Sequence, residues 1–193
     1  MENLLRRKPL VEIVAHRFSL PIIFFLLWFG VNQLVASPLK NEVRPLADKH
    51  QKINLAEFYS ALESQDTIKL NSFLDILEHD STSSARAYTG ALLMKKSGLI
   101  KSAKEKLPMF KQGKIILENA IKKDNKNAEF HFLRLIIQEN CPVFLKYQDN
   151  MKEDADAVKQ MYKKLSPALK QAVMNYSKTS KALKASEFPT GGQ

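Results

Sequence analysis

The chain has 193 residues, with 30 Lys and Arg against 20 Asp and Glu, a formal net charge of +10, six glycines and one cysteine. A lone cysteine excludes an internal disulfide framework, and scarce glycine beside abundant Leu, Ala, Lys, Glu and Gln argues for helices rather than sheet. Beyond residue 37 arginine occurs only at Arg44, Arg86 and Arg134, so the planar bidentate contacts that read bases are few and a nucleic-acid partner is not expected.

The first element is an uncharged run over residues 18–39, preceded by Arg6, Arg7, Lys8 and Arg17 and closing on Val35-Ala36-Ser37. A basic segment, an apolar run and small residues in that order make an export signal. Its densest apolar block, residues 20–31, suits the roughly 7–15 residues of a signal core better than the about 20 of a membrane span. Ala36 and Ser37 are the candidate cleavage positions. A retained single anchor through residues 18–39 is the alternative, and a buried helix of a cytosolic protein is the least favoured reading. Signal and anchor give one topology, with the basic flank cytoplasmic and the remainder outside. No cysteine follows the run, which excludes a lipoprotein-type anchor.

This divides the chain into a signal or anchor (1–37), a linker (38–51), an α-helical domain (52–185) and a disordered tail (186–193). In the domain, Asn54 and Glu57 have capping-box spacing, and Leu55, Phe58, Tyr59 and Leu62 then recur on one helical face. A second helix carries Leu70, Phe73, Leu74 and Leu77, capped by Asp66 and ending near His79. The polar break at residues 81–84 caps a third, with Tyr88, Ala91, Leu92 and Leu99 inward and the small Gly90 and Ala91 allowing close contact. Residues 101–108 are basic and weakly periodic; a strong helix then spans 109–123 through Phe110, Gly113, Leu117, Ala120 and Ile121. Residues 124–127 form a turn, and the helix over 128–139 is apolar on several sides, as a central element should be. Pro142 stops it. A helix follows over 154–165, and Ser166-Pro167 caps the last one, whose stripe is Leu169, Ala172, Val173, Tyr176, Ser180 and Leu183.

Gly113, Leu117, Ala120 and Asn125 are spaced as the small, large, small and turn residues in the second half of a tetratricopeptide repeat, which they resemble. The first half departs from that pattern, with Ser97, Ile100, Lys101 and Lys104 where Trp, Leu, Gly and Tyr belong. The expected fold is therefore all-α: antiparallel helical hairpins, either repeat-like or an irregular bundle, after the N-terminal signal or anchor helix. A second resemblance covers more of the chain. Ala36-Ser37-Pro38-Leu39-Lys40, the segment 88–94 with Gly90, the helix and turn over 110–127, Phe132-Leu133-Arg134, and Pro142, Phe144, Leu145 and Tyr147 together resemble a family of small exported helical proteins of Bacteroidota. That resemblance implies an exported α-helical domain and carries no catalytic residue with it.

No catalytic, cofactor or metal constellation stands out. His16, His50, His79 and His131 have no ligand or nucleophile partner at useful spacing, and His131, between Phe130 and Phe132, reads as a hydrogen-bonded core or boundary residue. The acids at 149–156 lack the order and the glycine of a calcium loop and read as a solvated helix N-terminus. Cys141 before Pro142 reads as a small buried residue. The C-terminal part concentrates basic charge at Lys159, Lys163, Lys164, Lys170, Lys178, Lys181 and Lys184 against Glu187 alone, a solvated face or a contact to anionic lipid or envelope polymer. Asn175-Tyr176-Ser177, Asp66-Thr67-Ile68 and Asp80-Ser81-Thr82 match short glycosylation patterns that arise often by chance. The sequence thus points to an extracytoplasmic, non-enzymatic interaction or scaffold module whose partner is another protein. Its rivals are a signal-anchored membrane protein with a basic lipid-facing C-terminal helix and an exported hydrolase with dispersed residues.

Overall fold

The computed structural model describes residues 53–189; the signal or anchor segment with Ala36 and Ser37, and the whole of the linker, lie outside the described residues. Within them the fold is all-α: α1 (Leu55–Glu63), α2 (Thr67–Leu77), α3 (Ser83–Leu99), α4 (Ala103–Lys123), α5 (Ala128–Asn140), α6 (Met151–Met161) and α7 (Pro167–Tyr176), with three short 3₁₀ turns. Five of these helices start where a local side chain satisfies orphan amides of the first turn, whereas Ser102 and Asn150 make no such bond at the starts of α4 and α6. Asp66 Oδ1 accepts from the amides of Ile68 and Lys69, Thr82 from Ala85, Asn127 from Glu129 and Ser166 from Leu169. At Asn54 the capping box is altered. Its Oδ1 takes the amides of Ala56 and Glu57, but Glu57 accepts from the Asn54 side-chain amide, at 2.9 Å, instead of reaching the backbone.

The most extensive packing is between α3 and α4, an antiparallel hairpin. Its helices touch through glycine: a Cβ on Gly113 would stand 2.6 Å from the Gly90 carbonyl, and one on Gly90 2.7 Å from the Leu117 amide. Gly113, Leu117 and Ala120 are all buried on this face, and Asn125 sits exposed in the turn to α5. α5 is the central element, buried on nearly every side, and packs chiefly on α6. Aromatic rings join the layers. Phe58 of α1 lies 5.6 Å from Phe73 of α2 and 4.7 Å from Tyr88 of α3, and Phe132 of α5 meets Tyr59 of α1 and Tyr176 of α7. Burying a side chain of this size contributes about 1.5–3 kcal/mol. Glu129 Oε1 accepts from the hydroxyls of both Tyr59 and Tyr88, tying α1 and α3 to α5. Burial raises its pKa, and the two hydroxyls offset part of that rise.

Four expectations are corrected. α4 begins at Ala103, so Pro108 lies inside it; the carbonyl its missing N–H would serve belongs to Lys104, an exposed residue in the first turn. α6 starts at Met151 and ends at Met161, because Leu165 is extended ahead of the Ser166 cap. α7 ends at Tyr176: Ser177 and Thr179 hydroxyls bond the carbonyls of Met174 and Tyr176, and Glu139 captures the amides of Lys181 and Ala182. Ser180 and Leu183 stay buried beyond the helix end. Finally, ordered packing continues past residue 185, since Phe188 is buried with its ring 4.5 Å from that of Tyr162.

Candidate binding cleft

Chain direction places the C-terminal ends of α1, α3, α5 and α7 beside the first two turns of α4, and these five ends leave a cleft of about 740 Å³. That volume lies within the roughly 300–1,000 Å³ of small-ligand sites. Leu62, Met94, Phe110 and Ile137 form a buried apolar floor. Leu107 of α4 and Phe144, which is 80 % exposed, stand on the rim.

The rim loop has a local cause. Pro142 ends α5, the 3₁₀ turn Val143–Leu145 follows, and Lys146 closes it in the left-handed region at φ 48°. For a lysine this conformation costs about 1–2 kcal/mol. Its amide bonds the Val143 carbonyl at 2.9 Å, and the next residue is anchored by the Tyr147 hydroxyl donating to Glu118 at 2.6 Å. Held in this way, the turn presents Val143 and Phe144 to solvent.

Three charged side chains line the cleft: Glu63, Lys95 and Lys106. Burial raises the Glu63 pKa, partly offset by Lys95, and lowers that of Lys95, partly offset by Glu63. The Lys95 ammonium donates to the Glu63 carbonyl at 3.4 Å, and among the described residues no carboxylate lies within ion-pair distance of it. Cys141 also lines the cleft. Burial raises its thiol pKa, and the sulfur sits 3.6 Å from the Gln138 carbonyl and 3.3 Å from the Gln148 amide nitrogen. A protonated thiol held by amides is a poor nucleophile, and among the described residues no histidine lines the cleft to activate it.

The densest polar cluster lies elsewhere, among α4, α5 and α6. Asp154 is fully buried and receives Nε and Nη2 of Arg134 at 2.8 and 2.7 Å, together with His131 Nδ1 at 2.6 Å. Arg134 Nη1 reaches Glu118 at 2.9 Å. His131 Nε2 meets the Asn125 carbonyl at 2.9 Å. Both ring nitrogens thus face acceptors, an arrangement that favours the doubly protonated imidazole, and the bond to Asp154 raises its pKa above the ordinary value despite burial. In that form neither nitrogen has a lone pair for a metal or a substrate proton. The acid read as a solvated helix N-terminus is therefore the buried centre of a structural network; its partners are 20 and 23 residues away, beyond any local pattern.

The repeat-like residues Gly113, Leu117 and Ala120 serve the α3–α4 contact and Asn125 the His131 bond. The basic C-terminal lysines do not converge on the cleft. Lys159 on α6 pairs with Glu187 at 2.8 Å, the one acid of that segment, while Lys163, Lys164, Lys178, Lys181 and Lys184 are exposed and Lys170 is half-buried on α7. Glu63, Lys95, Lys106, Leu107 and Phe144 carry the cleft instead. Of these only Phe144 was named in the sequence, within the resemblance to the exported helical family and with no binding role. Among the described residues no group of side chains has the makings of a metal site, and no helix is long and apolar enough to cross a membrane. No family model, curated protein or solved structure matches the chain.

Proposed function

We propose that this chain is a non-enzymatic α-helical binding module, exported from the cytoplasm, that holds an apolar group of its partner in the cleft between the five helix ends. The observation that carries the reading is the cleft itself, with a buried apolar floor, an exposed apolar rim at Leu107 and Phe144, and, among the described residues, no nucleophile–base pair on its lining. A concave apolar site with a few polar groups at its edge is the usual form of a ligand site. The basic-apolar-small order of the N-terminal residues supports export.

Gly98 lines the cleft, and a Cβ placed there meets no atom within 4 Å. Gly98→Phe therefore adds a ring at the edge of the cleft with no clash at its Cβ. The neutral fluorescent probe N-phenyl-1-naphthylamine should bind the purified protein, and Gly98→Phe should weaken it at least about tenfold with the melting temperature unchanged. Equal probe binding by the variant, or none by the parent, overturns the cleft as the site. For the location, N-terminal sequencing of protein recovered from cells should give a start near Ser37 or Pro38. An intact N-terminus on membranes resistant to carbonate extraction would favour the retained anchor, and recovery from the cytosol would overturn export.

A further inference from the structure

We infer that the cleft takes a free single-chain amphiphile with an anionic head: an alkyl chain laid on the apolar floor and a carboxylate or similar anion at the Lys95–Lys106 edge. This rests on the cleft being the binding site. The apolar part follows from the floor, where Leu62, Met94, Phe110 and Ile137 offer a chain no hydrogen-bonding partner along its length.

The sign of the head follows from how the helix ends are finished. Four helices present C-terminal, partially negative ends to the cleft, which alone would favour a cation. Those ends are already supplied with donors. The Ser64 hydroxyl bonds the Ala61 carbonyl, Ser97 that of Met94, Asn140 that of Ile136, Ser177 that of Met174 and Thr179 that of Tyr176. The one N-terminal, partially positive end is that of α4, a 21-residue helix, and Ser102 makes no side-chain capping bond there. Lys106 lines the cleft one turn into α4, with exposed Lys101 and Lys104 flanking it in sequence, and half-buried Lys95 faces in from α3. Among the described residues Glu63 is the only carboxylate on the lining, and half-buried Lys95 bonds the Glu63 backbone carbonyl with no carboxylate within ion-pair distance. An anion entering at this edge supplies that partner through a charge-assisted bond, which is stronger than a bond between neutral groups.

The experiment measures displacement of N-phenyl-1-naphthylamine from the full protein by three probes of equal chain length, dodecanoate, dodecan-1-ol and dodecyltrimethylammonium, each below its micelle concentration. Dodecanoate should displace at a concentration about tenfold lower than the alcohol, with the cation weakest. The double variant Lys95→Gln, Lys106→Gln should bring dodecanoate to the level of the alcohol, each displacement being scaled to that variant's own affinity for the neutral dye. Equal displacement by all three probes, or preference for the cation, overturns the inference while leaving the binding-module reading intact; absence of dye binding defeats that reading itself. A parallel arm sediments the protein with phosphatidylglycerol vesicles. Co-sedimentation without dodecanoate displacement would mean that exposed Val143 and Phe144 address a membrane surface, and would also overturn the inference.

Discussion

The α3–α4 hairpin and the α5–α6 pair solve one problem, fixing two antiparallel helices, by opposite means. The hairpin joins Gly90 to Gly113 with backbones in contact and no room for a side chain between them. The α5–α6 pair is joined by Asp154, which takes three donors from Arg134 and His131 on α5 and lies fully out of water. The hairpin depends on the absence of atoms, so any addition harms it. The pair depends on charges that exist only together, so any deletion strands the rest.

The largest effect should come from breaking the polar pair. Asp154→Ala leaves the Arg134 guanidinium and the His131 imidazolium buried with most of their acceptors gone, and removing one partner of a buried ion pair costs about 3–5 kcal/mol. Denaturant unfolding of parent and variant measures it, and hydrogen exchange should show the loss of protection concentrated in α5 and α6. A cost below about 1 kcal/mol would mean that solvent reaches the cluster and that the contrast with the hairpin is false.

A smaller loss is expected from Gly113→Ala. The new methyl would stand 2.6 Å from the Gly90 carbonyl, a backbone atom that no rotamer change removes. Overpacking of this kind costs about 1–3 kcal/mol, even after the gain of up to about 1 kcal/mol in helix propensity. Gly90→Ala pushes the same two helices apart, so the double variant should cost less than the sum of the singles. Strict additivity would show that the two glycines do not share one contact.

The same contrast separates what was legible in the sequence from what was not. Gly113, Leu117 and Ala120 announce a close helix contact because their spacing is set by the helix itself, and Asp66 and Ser166 announce helix starts because a cap bonds amides two or three residues ahead. The all-α fold follows from such local signals. The end of α7 did not follow, because Glu139 ends it from 42 and 43 residues away by binding the amides of Lys181 and Ala182. Burial of Asp154 and Phe188 was hidden for the same reason. The cleft was the least legible feature, since it belongs to no segment: Glu63, Lys95, Lys106 and Phe144 come from four elements whose ends meet only in the fold.

The smallest effect, and the one that distinguishes the two joints most directly, is pH dependence. His131 is held protonated by Asp154 and the Asn125 carbonyl, so its folded-state pKa lies above the ordinary 6.5. A group whose pKa is raised on folding contributes stability that is full below the unfolded value and is lost as pH rises through the folded value. Unfolding free energy should therefore decline as pH is raised from 6.5 through the raised His131 value, and His131→Gln should flatten that decline. Glu129 and Glu63, whose pKa values are also raised, act with the same sign in a window that opens at their ordinary 4.5, so the histidine's share is read as the difference between the parent and His131→Gln. Gly113→Ala carries no titrating group into its contact and should shift the whole profile down without changing its slope. If His131→Gln keeps the slope of the parent above pH 6.5, the imidazole is not charged in the folded protein, and the α5–α6 joint is a neutral hydrogen-bonded one like those at the helix caps.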